Sequence, residues 1–217
     1  MYKTIFSLLF LIFSLSLFAQ NQNIPQQLDR YLKDHLTQLQ LQSSDLRYTV
    51  SSHYASTHTG VEHIYLQQQY MGLPIRGAVL NTNLSAEGEV LSIGNRFVDG
   101  IEQRAISAEP TVAVREALGY VLSMFGPQIA GRSIRPAEVQ SIKLLDQDGY
   151  RHRFAPSGLA LEPIELWQEW MVQDDKLMRV WAAEYHSLDA QHVWLIRINP
   201  YELELVAYRD QVLHCQF

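Results

Sequence analysis

Apolar and polar residues alternate most regularly in residues 62–98, where three runs are separated by two turns. One side of the first run is apolar. The other side is polar and aromatic and consists of His63, Tyr65, Gln67 and Gln69. Residues 71–74 break this run, residues 77–84 alternate again, and residues 86–88 form a turn before a last run over residues 90–98. This spacing of turn residues predicts an antiparallel meander of three strands.

A helix and a further strand are predicted before the meander. Residues 25–41 carry apolar side chains three and four positions apart, and Asn23 followed by Pro25 is typical of a helix start. Residues 46–54 alternate enough to predict a strand, so the helix precedes four strands and can cover the apolar face of their sheet. His35 lies on the helical stripe, where a packed residue is favoured over a metal ligand because no second ligand is placed beside it.

The same order of elements recurs after a polar connector over residues 99–109. Pro110 opens a second predicted helix, and Gly126 followed by Pro127 ends it. The strands predicted after this helix cover residues 139–145, 150–154, 167–173, 177–187, 192–199 and 203–209.

The chain is therefore interpreted as α+β, with two units in tandem that each consist of a helix and an antiparallel sheet in a cystatin-like order. The units cover residues 20–99 and 108–212, and their shared element order suggests a duplication. Residues 213–217 are expected to form a C-terminal tail.

The N-terminus has the pattern of a secretory signal peptide. Lys3 precedes an apolar run over residues 5–18, which is too short to span a bilayer, and Ala19 offers a small residue for cleavage. We expect residues 1–19 to be removed, leaving a secreted or periplasmic protein with no stable membrane insertion. A retained anchor is the alternative, because Leu17 is larger than the residue preferred at its position before the cleavage site.

Composition narrows the class of partner. The chain of 217 residues is 47% hydrophobic and 18% charged, which is typical of a globular protein. Its net charge of -6 argues against nucleic acid as a ligand, since phosphate binding requires a basic face. Cys215 is the one cysteine, so it is either a spare thiol in the tail or half of a bond whose partner lies outside these residues.

The sequence shows no recognisable catalytic constellation. It contains no His-Glu-x-x-His, Cys-x-x-Cys, glycine-rich phosphate loop or Gly-x-Ser-x-Gly pattern, so we predict no enzyme, no cofactor and no catalytic or metal residue. The histidines at positions 53, 58 and 63 are spaced by five, and surface histidines flanking a turn are favoured over a metal site. For Glu162, Glu165 and Glu169, a solvated strand edge is favoured over paired catalytic carboxylates.

The four tryptophans all fall in the second predicted unit. Trp181 and Trp194 lie in runs with apolar alternation and are predicted to be core residues. Trp167 and Trp170 differ in parity along their strand. One of them is therefore expected to face outward and mark a protein contact.

Several segments resemble the fungalysin/thermolysin propeptide domain, which belongs to the pro-segment of secreted zinc metallopeptidases. In the first unit the resemblance rests on residues 63–70, 72–75, 78–81, 88–90 and 94–97. In the second unit it rests on Pro110, Thr111, Ala113 and residues 116–118, 162–164, 177–181, 192–198 and 212–215. One departure is the turn at residues 199–202, where family members usually carry glycine.

The resemblance implies a pro-segment that assists the folding of a zinc metallopeptidase catalytic domain and holds it inactive until cleavage. That partner is expected in cis if the chain is a fragment and in trans if it acts alone, and Cys215 then has a candidate partner beyond the chain. No contact residue can be assigned from the sequence. An exported cystatin-like binding module for another protein or cell-envelope ligand is the alternative.

Overall fold

The computed structural model describes residues 24–106, 108–127, 131 and 133–212. The predicted signal peptide over residues 1–19 and the tail over residues 213–217, with Cys215, lie outside the described residues. No helix in the described ranges is both long enough and apolar enough to cross a membrane.

The first half has the predicted order of one helical region and four strands. The helical segments are α1 (Gln26–Asp34) and α2 (Leu36–Leu39), followed by a 3-10 turn at Ser43–Asp45. The strands are β1 (Tyr48–Ala55), β2 (Glu62–Tyr70), β3 (Leu73–Leu84) and β4 (Val90–Asn95). A short helix, α3 (Ile101–Arg104), lies in the connector.

The second half contains two helices and six strands among its described residues. The helices are α4 (Val114–Phe125) and α5 (Pro136–Ser141). The strands are β5 (Leu144–Asp148), β6 (Arg151–Phe154), β7 (Ile164–Gln173), β8 (Lys176–His186), β9 (Val193–Ile198) and β10 (Leu205–Asp210). The α+β class is therefore confirmed. The cystatin-like tandem and its limits stay predictions.

One mixed sheet runs through both halves. Its main path is β1-β2-β3-β7-β8-β9-β10, with β4 paired to β3 and the β5–β6 hairpin paired to β7. Neighbouring strands are antiparallel except at the junction, where β3 and β7 are parallel through Ile75 and Trp170. Because Ile75 and Trp170 both lie in one buried cluster, the core sides of the two halves face the same way.

Each half buries its own apolar cluster between helix and sheet. In the first half, Leu28 and Leu32 of α1 pack against Ile64, Leu66 and Leu80, and all five side chains are fully buried. In the second half, α4 contributes its apolar stripe and packs on β7, β8 and β9. Burial on one side of β2 and β3 explains the alternation that predicted these strands, whereas β7 and β8 are buried on both sides.

A third cluster joins the halves around Trp170. This indole is 1% exposed, and its Nε1 donates to the Tyr70 carbonyl at 2.7 Å. The Arg179 guanidinium lies 5.2 Å from the Trp170 ring and forms a bidentate pair with Glu109 of the connector, at 2.8 and 3.1 Å. The connector is therefore tied to β8.

Two buried polar side chains hold the end of the first half. Asp45 accepts from the backbone N–H groups of Gln42, Gly100 and Ile101 at 2.8 to 3.0 Å. Gln68 donates to the carbonyls of Asp45 and Val98 at 2.9 Å and accepts from the Val98 N–H at 2.7 Å. Both side chains are 0% exposed, so these bonds satisfy groups that water cannot reach.

Both predicted helix boundaries need correction. The helix predicted over residues 25–41 is interrupted at His35, whose Nδ1 bonds to the Tyr31 carbonyl and whose ring stacks on Tyr31 at 3.9 Å. His35 is half-buried, as a packed residue would be. The second helix begins at Val114 and not at Pro110, because Thr111 and Val112 donate their N–H groups to the Pro200 carbonyl.

The strand predicted over residues 139–145 is wrong for residues 139–143. Residues Pro136–Ser141 form α5, and β5 begins only at Leu144. The Arg135 N–H donates to the Glu138 carboxylate at 2.7 Å, and Pro136 stands in the first turn, so the local sequence starts a helix. Val139 is buried against α4 and stabilises it.

The expectation that one of two tryptophans faces outward is also wrong. Trp170 fills the junction, and Trp167, on the opposite side of the sheet, is 8% exposed because the Arg151 guanidinium lies over its ring at 4.4 Å. Trp181 is a core residue as predicted, at 4% exposed. Trp194 is half-buried at the margin of the core.

The carboxylate of Asp210 holds the end of β10 against the start of β9 through hydrogen bonds. Asp210 lies 2.6 Å from His192 Nδ1, and its other oxygen accepts from the N–H groups of Val193 and Val212. The hydrogen bond from His192 is the main reason that the pKa of Asp210 falls to about 2.

We predict that Asp45→Ala lowers the free energy of unfolding by about 3 kcal/mol, because three buried N–H groups lose their acceptor. Urea denaturation at neutral pH measures this loss. Asp34→Ala is the matched control, since Asp34 is exposed, and it should change the stability by less than about 0.5 kcal/mol. An equal effect of both substitutions would contradict the role of Asp45.

We predict that Asp210 stabilises the folded protein near neutral pH and that this stabilisation is lost in acid. Its folded-state pKa is depressed, so its contribution is present above the ordinary pKa of 3.8 and is lost as the pH falls towards about 2. The melting temperature of the wild type should therefore fall more steeply between pH 4 and pH 2 than that of Asp210→Asn. Parallel curves for the two proteins would contradict this.

Candidate interaction surface

Strands β1–β4 form the part of the sheet that α1 covers on one side. The other side of these four strands is uncovered. We call it the open face. Strand pairing places its members in register across the four strands, and none of them belongs to the buried clusters of the described residues. They are Thr49, Ser52, Tyr54, His63, Tyr65, Gln67, Gln69, Val79, Asn81, Asn83, Ser92 and Gly94.

An aromatic group occupies one edge of the open face. The Tyr54 ring is stacked 4.9 Å from His63 and 6.4 Å from Tyr65, and Tyr54 remains 52% exposed. A side-chain hydrogen bond with Tyr65 raises the pKa of Tyr54 above its ordinary value. Tyr54 is therefore a neutral, amphipathic platform at physiological pH.

A chain of polar bonds crosses the open face from β2 to β4. Asn83 Nδ2 donates to Ser92 Oγ at 2.7 Å, which leaves Asn83 Oδ1 to face His63 Nδ1, also at 2.7 Å. The His63 ring therefore carries its proton on Nδ1 when it is neutral. These bonds fix the side chains before any partner arrives.

Two glutamines extend this ordering along β2. Gln67 Nε2 donates to the carbonyls of Ile75 and Ala78 at 2.7 and 3.1 Å and spans the irregular part of β3. Gln69 Nε2 donates to Thr49 Oγ1 on β1 at 3.2 Å.

The open face carries no Asp, Glu, Lys or Arg in a chain with a net charge of -6. Tyrosine, serine and side-chain amides supply rigid contact area and adaptable hydrogen bonding, and this mixture is typical of antibody contact surfaces. The open face is therefore suited to a polar protein surface and not to a strongly charged ligand.

The side of the sheet that bears the open face continues onto β7 across the junction, where Met171 is buried. Arg76 of β3 is exposed, and its Nη1 lies 3.6 Å from the sulfur of Met171 on β7. Because Ile75 and Trp170 point to the core side, their neighbours Arg76 and Met171 share the opposite side.

The second half bears a charged group on this same side. Glu169 is 6% exposed and accepts from Trp167 Nε1 at 3.0 Å and from Arg197 Nε at 2.9 Å. Arg151 lies over the Trp167 ring at 4.4 Å and pairs with Glu165 at 2.7 Å. The expectation of a solvated edge is therefore wrong for Glu169, because its carboxylate is buried and bonded to Trp167 and Arg197.

The structure does not bring the candidate histidines into one cluster. His53 pairs with Glu62 at 2.9 Å on the core side of the sheet, while His63 points to the open face. His58 is exposed in the loop between β1 and β2. Within the described part of the chain, no three ligand-type residues are grouped to hold a metal ion.

Sequence reasoning found only the β2 part of the open face. Tyr54, Asn81, Asn83 and Ser92 were not singled out. The alternation in β3 and β4 carried a usable signal, since Asn83 and Asn81 of β3 pair with His63 and Tyr65, and Ser92 of β4 pairs with Asn83.

Comparison with known proteins bears on this surface. The family model described as Fungalysin/Thermolysin Propeptide Motif matches residues 48–97. Curated proteins include no match to the chain.

A solved structure, the Bacillus megaterium YpeB C-terminal domain, matches with a TM-score of 0.34 and 11% sequence identity. The match covers 87% of this chain and 66% of that one, so this chain spans slightly less than two thirds of that structure. A similarity at this level says nothing about function.

The matched residues begin with β1 and end at Phe97, just after β4. The predicted resemblance is therefore confirmed for the first unit: residues 48–97, which build the open face, resemble the fungalysin/thermolysin propeptide motif. For the second unit it stays a prediction.

Proposed function

We propose that this protein is a metallopeptidase pro-segment that binds a zinc peptidase catalytic domain, assists its folding and holds it inactive until cleavage. The single observation that carries this proposal is the coincidence of the propeptide match with the open face. The partner is bound in cis if the chain is part of a longer precursor and in trans if it acts alone. The proposal places the protein outside the cytoplasm, with residues 1–19 removed.

The size of the open face supports this role. Eight residues at about 3.3 Å each, across four strands at about 4.8 Å, give a flat area of roughly 500 Å². Protease–inhibitor complexes bury about 800 Å² on each partner. The open face therefore supplies most of such a contact once the relief of its side chains and the adjoining turns are included.

The ordering of the open face also supports inhibition. Its side chains are held by cross-strand bonds, so binding costs little additional side-chain entropy. A neutral contact gains affinity from packing and hydrogen bonds, so the complex should depend only weakly on salt.

The alternative is an exported binding module for another protein or envelope ligand. Its support is the composition of the open face, since Tyr, Ser, Asn and Gln suit many polar surfaces. A tight unrelated partner, together with no effect on any zinc peptidase, would favour it.

We predict that the purified protein slows peptide hydrolysis by a fungalysin-type zinc peptidase at micromolar concentration. Tyr54→Ala should raise the inhibition constant about tenfold, because a half-exposed tyrosine ring held by stacking on His63 is a typical hot-spot residue.

Tyr208→Ala is the matched control. Tyr208 is 58% exposed on β10, the edge strand at the other end of the sheet, and it also lies against two rings. Its substitution should leave the inhibition constant within about twofold. Absence of inhibition by the wild type would count against the pro-segment role, and equal effects of the two variants would count against the open face.

A further inference from the structure

The turn between β2 and β3 holds an apolar side chain in an unfavourable backbone conformation. Tyr70 pairs with Leu73, so the loop has two residues, Met71 with φ 48° and Gly72 with φ 76°. Such turns favour Asn, Asp or Gly at both positions, because other side chains crowd the backbone when φ is positive. Met71 is nevertheless present, and it is 62% exposed.

The hairpin between β7 and β8 provides a comparison within the same chain. Gln173 pairs with Lys176 around a two-residue loop, Asp174 with φ 49° and Asp175 with φ 62°. Both residues there are of a type that tolerates this conformation. The β2–β3 turn therefore departs from a rule that the second hairpin obeys.

The base of the β2–β3 turn is held firmly. The Tyr70 carbonyl accepts from Trp170 Nε1 at 2.7 Å, the two rings lie 5.3 Å apart, and the Arg47 guanidinium lies 5.6 Å from the Tyr70 ring. Leu73, on the other side of the turn, is buried. The backbone position of Met71 is thus fixed by its neighbours, and its exposed side chain lies outside the buried clusters.

We propose that Met71 is an apolar anchor that inserts into an apolar pocket on the peptidase catalytic domain. This inference rests on the proposed function and extends its contact. Met71 lies two residues beyond Gln69 of the open face, about 7 Å along β2, so one partner can cover both. A strained exposed residue on a rigid support points to a functional constraint, and the flexible methionine side chain adapts well to a pocket.

The test is Met71→Asn, which separates stability from binding. Asparagine suits the left-handed conformation, so the melting temperature should rise by about 2–4 °C. The same substitution removes the apolar side chain, so the dissociation constant for the separately produced catalytic domain of a fungalysin-type zinc peptidase should rise about tenfold. A residue with only a turn-forming role predicts the higher melting temperature with unchanged binding.

Three control variants sharpen the result. Met71→Leu keeps an apolar side chain and should hold the dissociation constant within about threefold. Asp174→Asn alters the same position of the second hairpin and should change neither quantity. Met124→Gln removes a methionine that is 56% exposed on α4 and should leave binding unchanged.

The outcomes distinguish the two proposals. Inhibition by the wild type together with unchanged binding of Met71→Asn overturns the anchor and leaves the pro-segment role standing. Equal weakening by Met71→Asn and Met124→Gln also overturns the anchor, as does weaker binding accompanied by a lower melting temperature. A wild type that neither binds nor inhibits the peptidase overturns both.

Discussion

The arrangement of this protein depends on the packing of Trp170 between the two halves. Its indole is buried, donates to the Tyr70 carbonyl and lies under the Arg179 guanidinium. An indole N–H buried without an acceptor would be costly, so this bond fixes where β3 meets β7. That meeting point sets the parallel pairing of Ile75 and Trp170, and it places the open face and the Glu169 side of the second half on one side of a continuous sheet.

Buried polar groups then restrict the fold to one register. Asp45 and Gln68 are satisfied only when residues 98–101 lie against the end of β2. The Glu169–Arg197 pair requires β7 and β9 to keep their spacing across β8. Hydrophobic burial would tolerate small shifts, whereas unpaired buried groups would not, so these contacts are the ones that define the surface geometry.

The side of the sheet that bears the open face combines two kinds of contact. The open face is neutral and ordered by amide and hydroxyl bonds, while the second half carries arginine and glutamate around Trp167. Between them lie Arg76 and Met171. Met71 is exposed in the β2–β3 turn, five residues before Arg76. In the function proposed above, the neutral part would give packing area, the turn an anchor, and the charged part orientation.

Periodicity in the sequence determined the element order and the α+β class. It placed β2, β3 and β4 and the polar side of β2, because one buried side forces strict alternation. It did not separate α5 from a strand in residues 139–145, since a short apolar run fits both and only packing of Val139 against α4 decides between them.

Contacts distant in sequence decided the rest. Trp167 and Trp170 have opposite parity and are both buried, because Arg151 and Glu169 cover one while the junction encloses the other. The joining of the open face to the side of β7 that carries Met171 likewise follows from the pairing of β3 with β7, about 95 residues away in the sequence. Local patterns report which side of a strand is buried, but what lies on each side is set by tertiary packing.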